Sequence, residues 1–154
     1  MKVSGKVCVV TGAAGGIGEA IARRYAAEGA KGVVVADRPG DNLERVAKEI
    51  GGLAVACDVA VEGEVKKLVG EAERAYGPVD VFFSNAGIAR AGHEAASDKD
   101  WADSWAIHVM SHVYAARALA PGKLARQSGY LLNTASAAGL LASMGSAPYG
   151  VTKH

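Results

Sequence analysis

A run of apolar residues that ends in a cluster of glycines lies near the start of the chain. Residues 6–11 (KVCVVT) are mostly β-branched and apolar, which is typical of a parallel strand buried on both faces. Residues 12–18 (GAAGGIG) follow, and the alanine-rich stretch over 17–28 predicts an amphipathic helix closed by Gly29. Glycines let a backbone turn tightly and approach a ligand, and a helix start offers unpaired N–H groups. This order of strand, glycine turn and helix predicts a site for the pyrophosphate of a dinucleotide.

An acidic residue stands where the second predicted strand ends. Residues 32–36 (GVVVA) resemble the first strand and run into Asp37, nineteen residues beyond Gly18. A carboxylate at this position can accept hydrogen bonds from an adenosine ribose and would repel a 2′-phosphate. Arg38 follows directly and is the one feature that points towards NADP. Asp37 favours NAD. Gly15 does so as well, because it supplies no basic side chain for a 2′-phosphate.

The rest of the chain alternates between helix and strand patterns. The predicted elements are a helix over 42–50, a strand over 53–57, a helix over 62–76, a strand over 79–84, one long or two joined helices over 100–126, and a strand over 129–134. Pro121 and Gly122 are expected to break the long helix near its end.

Right-handed crossovers between these elements predict an α/β fold, a doubly wound parallel sheet with strand order 3-2-1-4-5, in a single domain over 1–154. A bound cofactor should then lie across the carboxyl ends of the strands. The candidate residues that follow those ends are Gly12, Asp37, Asp58, Asn85 and Ser136.

A tyrosine and a lysine stand four residues apart near the end of the sequence. Tyr149 and Lys153 would lie on one face of a helix and point into the same cleft. A free tyrosine has a pKa of about 10, and a neighbouring ammonium group lowers it towards the range useful for proton transfer at neutral pH. The hydroxyl of Ser136 could hold a substrate oxygen beside them. Taken alone, the spacing is weak evidence, because an isolated match is far more often a surface helix with a packed tyrosine and a solvated lysine.

Taken together, these motifs resemble the short-chain dehydrogenase/reductase family. The pattern Thr11-Gly-x-x-x-Gly16-Ile-Gly18, the triplet over 85–87 (NAG), Ser136 and Tyr149-x-x-x-Lys153 come in the family's order. The resemblance covers the whole chain and implies a Rossmann-type, metal-independent oxidoreductase that uses NAD(H) or NADP(H).

The resemblance also implies roles for individual residues. Ser136 matches the substrate-orienting hydroxyl, Tyr149 the general acid/base, and Lys153 the group that lowers the tyrosine pKa and binds the nicotinamide ribose. The cofactor-binding candidates are Gly12, Gly15, Gly16, Ile17, Gly18, Asp37, Arg38, Asp58, Val59, Asn85, Ala86 and Gly87, together with Tyr149 and Lys153.

The sequence departs from the family pattern in two places. His108 stands where the family usually has an asparagine that is linked through water to the lysine; a relay through imidazole and a merely packed histidine are both open. Family members also continue well beyond the Tyr-x-x-x-Lys motif, so their C-terminal strands and helices are expected to be missing here. The strand over 129–134 would then form an exposed sheet edge.

Charge and composition exclude several other classes of protein. The net charge is +1, with 17 basic and 16 acidic residues well mixed, so nucleic acid is not an expected partner. Cys8 and Cys57 lie in predicted strands and are expected to be buried reduced thiols, and the four histidines show no zinc spacing. No apolar run is long enough for a signal peptide or a membrane span, which predicts a cytoplasmic protein without a membrane partner.

The resulting prediction is an NAD-dependent oxidoreductase that acts on a small-molecule alcohol or ketone. Tyr149 would be its general acid/base, His108 a possible fourth catalytic residue, and the protein a homo-oligomer. Leu140, Leu141 and Met144 would make one wall of the substrate site apolar. Two alternatives stay open: an inactive NAD(H)-binding fragment, and an interaction module that binds no cofactor.

Overall fold

Five parallel strands form one sheet in the order β3-β2-β1-β4-β5. The computed structural model describes residues 2–141 and 145–154. The strands are β1 (Val7–Thr11), β2 (Gly32–Asp37), β3 (Leu53–Ala56), β4 (Val81–Ser84) and β5 (Tyr130–Asn133). The helices are α1 (Gly16–Ala27), α2 (Asp41–Ile50), α3 (Glu62–Tyr76), α4 (Asp98–Trp105), α5 (Ser111–Ala125) and α6 (Ala147–Lys153). The predicted α/β class and strand order are confirmed.

Helices cover both faces of the sheet, which explains why the central strands β1 and β2 are apolar at almost every position. Val9 and Val34 face a layer formed by α3 and α5. The next residue in each strand, Val10 and Val35, faces the opposite layer of α1 and α2. All four valines are fully buried. Alternate residues of one strand thus contribute to two separate cores, as is typical of parallel sheets.

The long helical region between β4 and β5 differs from its prediction. It starts at Asp98, where the Ser97 hydroxyl accepts a hydrogen bond from the N–H of Asp100 at 3.1 Å. A π-helical segment, Ala106–Met110, joins α4 to α5 and was not anticipated. Such π turns are uncommon and often mark functional sites.

The prediction that Pro121 breaks this helix is wrong, because α5 continues to Ala125. The last turn is held by a side chain that follows the proline. Buried Lys123 donates hydrogen bonds at 2.8 Å to the backbone oxygens of Val79 and Asp80, before β4. These charged hydrogen bonds offset the one backbone bond that a proline removes.

The fifth strand lies at one edge of the sheet, as expected. In the described residues β5 pairs with β4 alone, and the side chains of Tyr130 and Leu131 are 51% and 37% exposed. α6 packs against α4 and the π segment. Within the described residues it does not contact α3. None of the described helices combines the length and apolar character needed to cross a membrane.

Candidate functional site

A cavity of about 530 Å³ opens at the carboxyl ends of the strands. Twelve of the predicted site residues line it: Gly12, Gly15, Ile17, Asp37, Arg38, Asp58, Val59, Asn85, Ala86, Gly87, Tyr149 and Lys153. Five further lining residues were not predicted as cofactor or catalytic residues: Cys57, Ile88, Ala89, Ile107 and Thr134. Two of them, Ile88 and Ala89, belong to the segment 88–93, for which the sequence predicts substrate contacts. Gly16, Gly18, His108 and Ser136 belong to the surrounding structure and are not among the lining residues. The topology therefore brings most of the predicted site into one cleft.

The glycine turn after β1 packs too tightly for side chains at two positions. A Cβ added to Gly12, whose φ is +66°, would lie 2.8 Å from the Cα of Ala86. A Cβ on Gly18 would lie 2.1 Å from the backbone oxygen of Gly12. The first helical hydrogen bond runs from Glu19 N–H to the oxygen of Gly15, and no side chain caps α1. The N–H groups at the start of α1 are therefore placed to bind an anionic group.

Asp37 sits at the end of β2 with its carboxylate fixed by backbone N–H groups. One oxygen accepts from Ala14 at 3.0 Å and the other from Arg38 at 2.8 Å. Each carboxylate oxygen has further acceptor capacity that can point into the cavity. The interaction with Ala14 also ties the carboxylate to the glycine turn, so that the two predicted cofactor contacts have a defined relative position.

The far end of the cavity has an apolar floor. Cys57 and Val59 are buried on either side of Asp58, whose carboxylate accepts the N–H of Ala60 at 2.9 Å. Burial, with nearby carboxylates adding to it, raises the pKa of the Cys57 thiol to about 12, so the thiol is protonated and behaves as an apolar group. Both cysteines are free and buried, as predicted. A flat, uncharged ring is the kind of group that such a floor fits.

A hydrogen-bonded network connects the ends of the three strands β1, β4 and β5. The Thr11 hydroxyl accepts the N–H groups of Asn85 and Ala86 at 3.0 and 3.2 Å. The Asn85 amide donates to the backbone oxygen of Thr11 at 3.1 Å, and its oxygen accepts from the Thr134 hydroxyl at 2.9 Å. This network holds the predicted turn after β4 against the glycine turn.

The same network reaches the lysine of the Tyr-x-x-x-Lys motif. The Lys153 ammonium donates to the backbone oxygen of Thr134 at 3.0 Å and lies 5.9 Å from the centroid of the Tyr149 ring. Burial lowers the pKa of Lys153, while Tyr149 acts in the opposite direction. Thr134 was missed because the sequence signals only its position after an apolar strand. Its contact with Lys153 uses a backbone oxygen, which no side-chain pattern reveals.

Ser136 and His108 are the two other residues predicted to take part in catalysis. Ser136 precedes a short 3₁₀ turn, Ala137–Gly139, and its hydroxyl oxygen accepts the N–H of Ala138 at 3.2 Å. His108 lies in the π segment and is buried, and its ring meets the Tyr149 ring edge-on, with centroids 5.3 Å apart. Leu140 and Leu141 are 89% and 69% exposed, and Met144 lies outside the described residues.

The described residues hold no group of three or more His, Cys, Asp or Glu side chains placed to bind a metal ion. The chemical groups that the cavity offers are instead N–H donors, a fixed carboxylate, an apolar floor, and a phenol beside an ammonium. These groups fit the parts of a nicotinamide dinucleotide: a pyrophosphate, a ribose and a flat base.

Comparison with known proteins agrees with this geometry. A sequence model described as short chain dehydrogenase matches residues 6–154. The chain belongs to the short-chain dehydrogenase family. A short-chain dehydrogenase/reductase from Burkholderia phymatum, solved in complex with NAD, superposes with a TM-score of 0.95 at 33% identity, over 100% of this chain and 57% of that one.

Two curated relatives in this family show how much of a typical member is represented. Borneol dehydrogenase, mitochondrial, from Lavandula x intermedia is 36% identical over 160 residues, which cover 99% of this chain and 60% of that protein. Meso-2,3-butanediol dehydrogenase from Serratia marcescens is 36% identical over 158 residues, covering 99% of this chain and 62% of the relative. The chain thus spans about three fifths of the length of these family members.

Proposed function

We propose that residues 1–154 form a single dinucleotide-binding domain of an NAD-dependent oxidoreductase that acts on an alcohol or ketone. The observation that carries the proposal is the position of Lys153 beside Tyr149, in the same cavity as the glycine turn and Asp37. When bound, the nicotinamide supplies the hydride donor or acceptor. The named dehydrogenase relatives and the NAD complex of a structural neighbour support this function.

The preference for NAD over NADP rests on Asp37. Its carboxylate is fixed by Ala14 and Arg38, so it cannot turn away from the cavity without losing two hydrogen bonds. Two ribose hydroxyls are suitable donors to this group, whereas a 2′-phosphate would meet a like charge. Arg38 also lines the cavity, and its guanidinium is the feature that would favour NADP. We assign the stronger effect to the carboxylate because it is held by the backbone, while Arg38 is a long, exposed side chain.

Proton transfer is the part of the reaction that this chain's own residues carry out. Tyr149 would exchange a proton with the substrate oxygen, and the Lys153 ammonium would stabilise the phenolate that forms. The oxygen of Ser136 already accepts from Ala138, so its O–H can donate to the substrate oxygen. Ser136 would thereby orient the substrate rather than exchange its proton.

The substrate class is inferred from the visible wall of the site and from the relatives. Leu140 and Leu141 are large exposed apolar side chains that follow the 3₁₀ turn after Ser136. The two curated relatives are named for borneol and for meso-2,3-butanediol, which are both secondary alcohols. A secondary alcohol, or the matching ketone, fits both observations, and the apolar wall favours a hydrophobic one. Cytoplasmic location and homo-oligomeric assembly stay predictions from the sequence.

The experiment that tests this function compares wild-type protein with Tyr149→Phe. In the full-length natural protein, we expect the variant to lose turnover by at least about a hundredfold, the usual contribution of a positioned acid/base. Its NADH dissociation constant should stay within about twofold, since the phenol is not needed to bind the phosphates. Turnover is followed by NADH absorbance over a panel of secondary alcohols, and binding by nucleotide fluorescence.

Other outcomes separate the alternatives. Wild-type turnover that survives in Tyr149→Phe removes this residue from proton transfer. NADH binding by a wild-type protein that oxidises no alcohol in the panel points to the nucleotide-binding module without catalysis. A folded protein that binds no NADH overturns the dinucleotide site itself.

A further inference from the structure

His108 bridges two parts of the chain that border the candidate site. It lies in the π segment, Ala106–Met110, and only 4% of its surface is exposed. One ring nitrogen, Nε2, accepts the backbone N–H of Ile88 at 3.0 Å, in the loop that leaves β4. The other, Nδ1, is 2.8 Å from the hydroxyl of Thr152, in α6. Ile88 lines the cavity, and Thr152 immediately precedes Lys153.

The directions of these hydrogen bonds assign one tautomer to the histidine. The backbone N–H of Ile88 can only donate, so Nε2 carries no proton. In the neutral ring Nδ1 then holds the proton and donates it to the oxygen of Thr152. The Thr152 hydroxyl in turn donates to the backbone oxygen of Pro148, at 2.6 Å. Each donor in this series of hydrogen bonds has an acceptor, and the series ends in the first turn of α6.

This arrangement bears directly on the position of the tyrosine. α6 has only seven residues, a length at which a helix depends on tertiary contacts rather than on its own hydrogen bonds. Thr152 is buried in α6, and the ring of His108 also meets the ring of Tyr149 edge-on, at an interplanar angle of 86°. The histidine therefore contacts α6 through a hydrogen bond at one residue and through ring packing at another.

We propose that His108 and Thr152 form a positioning pair that fixes Tyr149 relative to the loop after β4. This inference rests on the proposed oxidoreductase function and refines the role of His108, from a possible proton relay to a neutral bridge. An asparagine, the usual family residue, has a shorter side chain. Its amide cannot reach the position of Nε2 while it also occupies the position of Nδ1, so it cannot bond both partners as the imidazole does.

The electrostatic surroundings keep the bridge neutral. Burial, and then the charge of Lys153, lowers the pKa of His108 to about 4, with a smaller contribution from His112. The backbone N–H of Ile88 donates to the lone pair of Nε2, which also favours the neutral ring. The titratable groups that act on His108 are thus Lys153 and His112, and the ring of Tyr149 packs against it. At neutral pH the imidazole holds its geometry and takes up no proton.

The test removes the Thr152 hydroxyl without changing its shape. In the full-length protein, Thr152→Val deletes the acceptor for Nδ1–H, whereas Thr152→Ser keeps it. We expect Thr152→Val to lower kcat about tenfold with the KM for NADH unchanged, and Thr152→Ser to stay within twofold of wild type. Ser104→Ala is the matched control, because Ser104 is also buried and its hydroxyl has no hydrogen-bond partner among the described residues.

A second readout does not depend on turnover. Long-range ¹H–¹⁵N NMR correlations at pH 7 report the tautomer of His108, with His108→Asn identifying its signals. Wild type, Thr152→Ser and Thr152→Val should all show the Nδ1–H form, because the backbone N–H of Ile88 keeps Nε2 unprotonated in each. Only Thr152→Val should change the chemical shift of the Nδ1–H proton, which loses its acceptor. If the wild-type protein turns over no alcohol, the proposed function is wrong. The NMR measurement of the His108 tautomer still tests the positioning pair in that case.

Several results overturn the positioning pair. The first is an Nε2–H tautomer in wild type. The second is a kcat for Thr152→Val within twofold of wild type. The third is a fall in kcat for Thr152→Ser or Ser104→Ala as large as the fall for Thr152→Val. A rise in KM for NADH equal to the fall in kcat also overturns it, because that pattern marks general disturbance of the fold.

Discussion

At the scale of single residues, cofactor choice depends on the charge of one fixed carboxylate. Asp37→Asn retains the shape of the side chain but removes its charge and one of its two acceptor oxygens. We expect NADH to bind about tenfold more weakly, because a charged acceptor is replaced by a neutral one. NADPH should bind more tightly than it does to wild type, since the repulsion is gone and Arg38 lies beside the site. Dissociation constants for both nucleotides, measured by fluorescence, check this prediction.

The control for Asp37→Asn is Glu44→Gln, an exposed acid on α2 that lies outside the cavity. It changes the net charge of the protein by the same amount and should alter neither affinity by more than about twofold, because exposed charges beyond the Debye length are screened. A ratio of NADPH to NADH affinity that is unchanged in Asp37→Asn contradicts the assignment of NAD preference to this carboxylate.

At the scale of elements, the start of α1 depends on a close approach between two backbone segments. In Gly18→Ala the new Cβ would lie 2.1 Å from the backbone oxygen of Gly12, which cannot move without shifting the glycine turn. We expect the free energy of unfolding to fall by about 1–3 kcal/mol and the affinity for NADH to fall at least tenfold. Urea unfolding followed by circular dichroism, and NADH fluorescence titration, measure the two effects.

Gly63→Ala provides the matched comparison within a helix. Gly63 lies in α3, where an added Cβ meets nothing within 4 Å. This substitution should raise the free energy of unfolding by about 0.5–1 kcal/mol, since alanine favours helix over glycine. If Gly18→Ala leaves stability unchanged or raises it, as Gly63→Ala is expected to do, the packing argument for Gly18 does not hold.

The elements also show which features a sequence can predict. The glycine turn and the apolar strands carry local patterns, so the sheet order followed from them, whereas several of the twelve cavity residues were implied only by the resemblance to the short-chain dehydrogenase/reductase family. The continuation of α5 past Pro121 did not, because Lys123 reaches backbone oxygens that lie more than 40 residues away in the chain. The partners of His108, Ile88 and Thr152, are likewise remote in sequence and use a backbone N–H or an ordinary hydroxyl. Contacts of this kind have no periodic or compositional signal.

At the scale of the whole molecule, the buried histidine couples folding to pH. Burial holds the pKa of His108 at about 4, whereas an exposed histidine has a pKa of about 6.5. Between these values the unfolded chain binds a proton that the folded chain does not, so the free energy of unfolding falls as the pH falls. Stability from this source is fully present above about pH 6.5 and is lost progressively down to about pH 4.

Comparison with His108→Asn isolates this effect, because asparagine does not titrate. From pH 7 to pH 5 we expect wild type to lose about 2 kcal/mol more unfolding free energy than the variant, measured by urea denaturation at each pH. His112, whose pKa burial also lowers, and the carboxylates paired on the surface are present in both proteins and cancel in the difference. A difference between the two proteins that stays constant over this range would mean that the folded and unfolded states protonate His108 at the same pH. The bridge between Ile88 and Thr152 would then be lost by pH 5, and burial would not be what keeps the ring neutral.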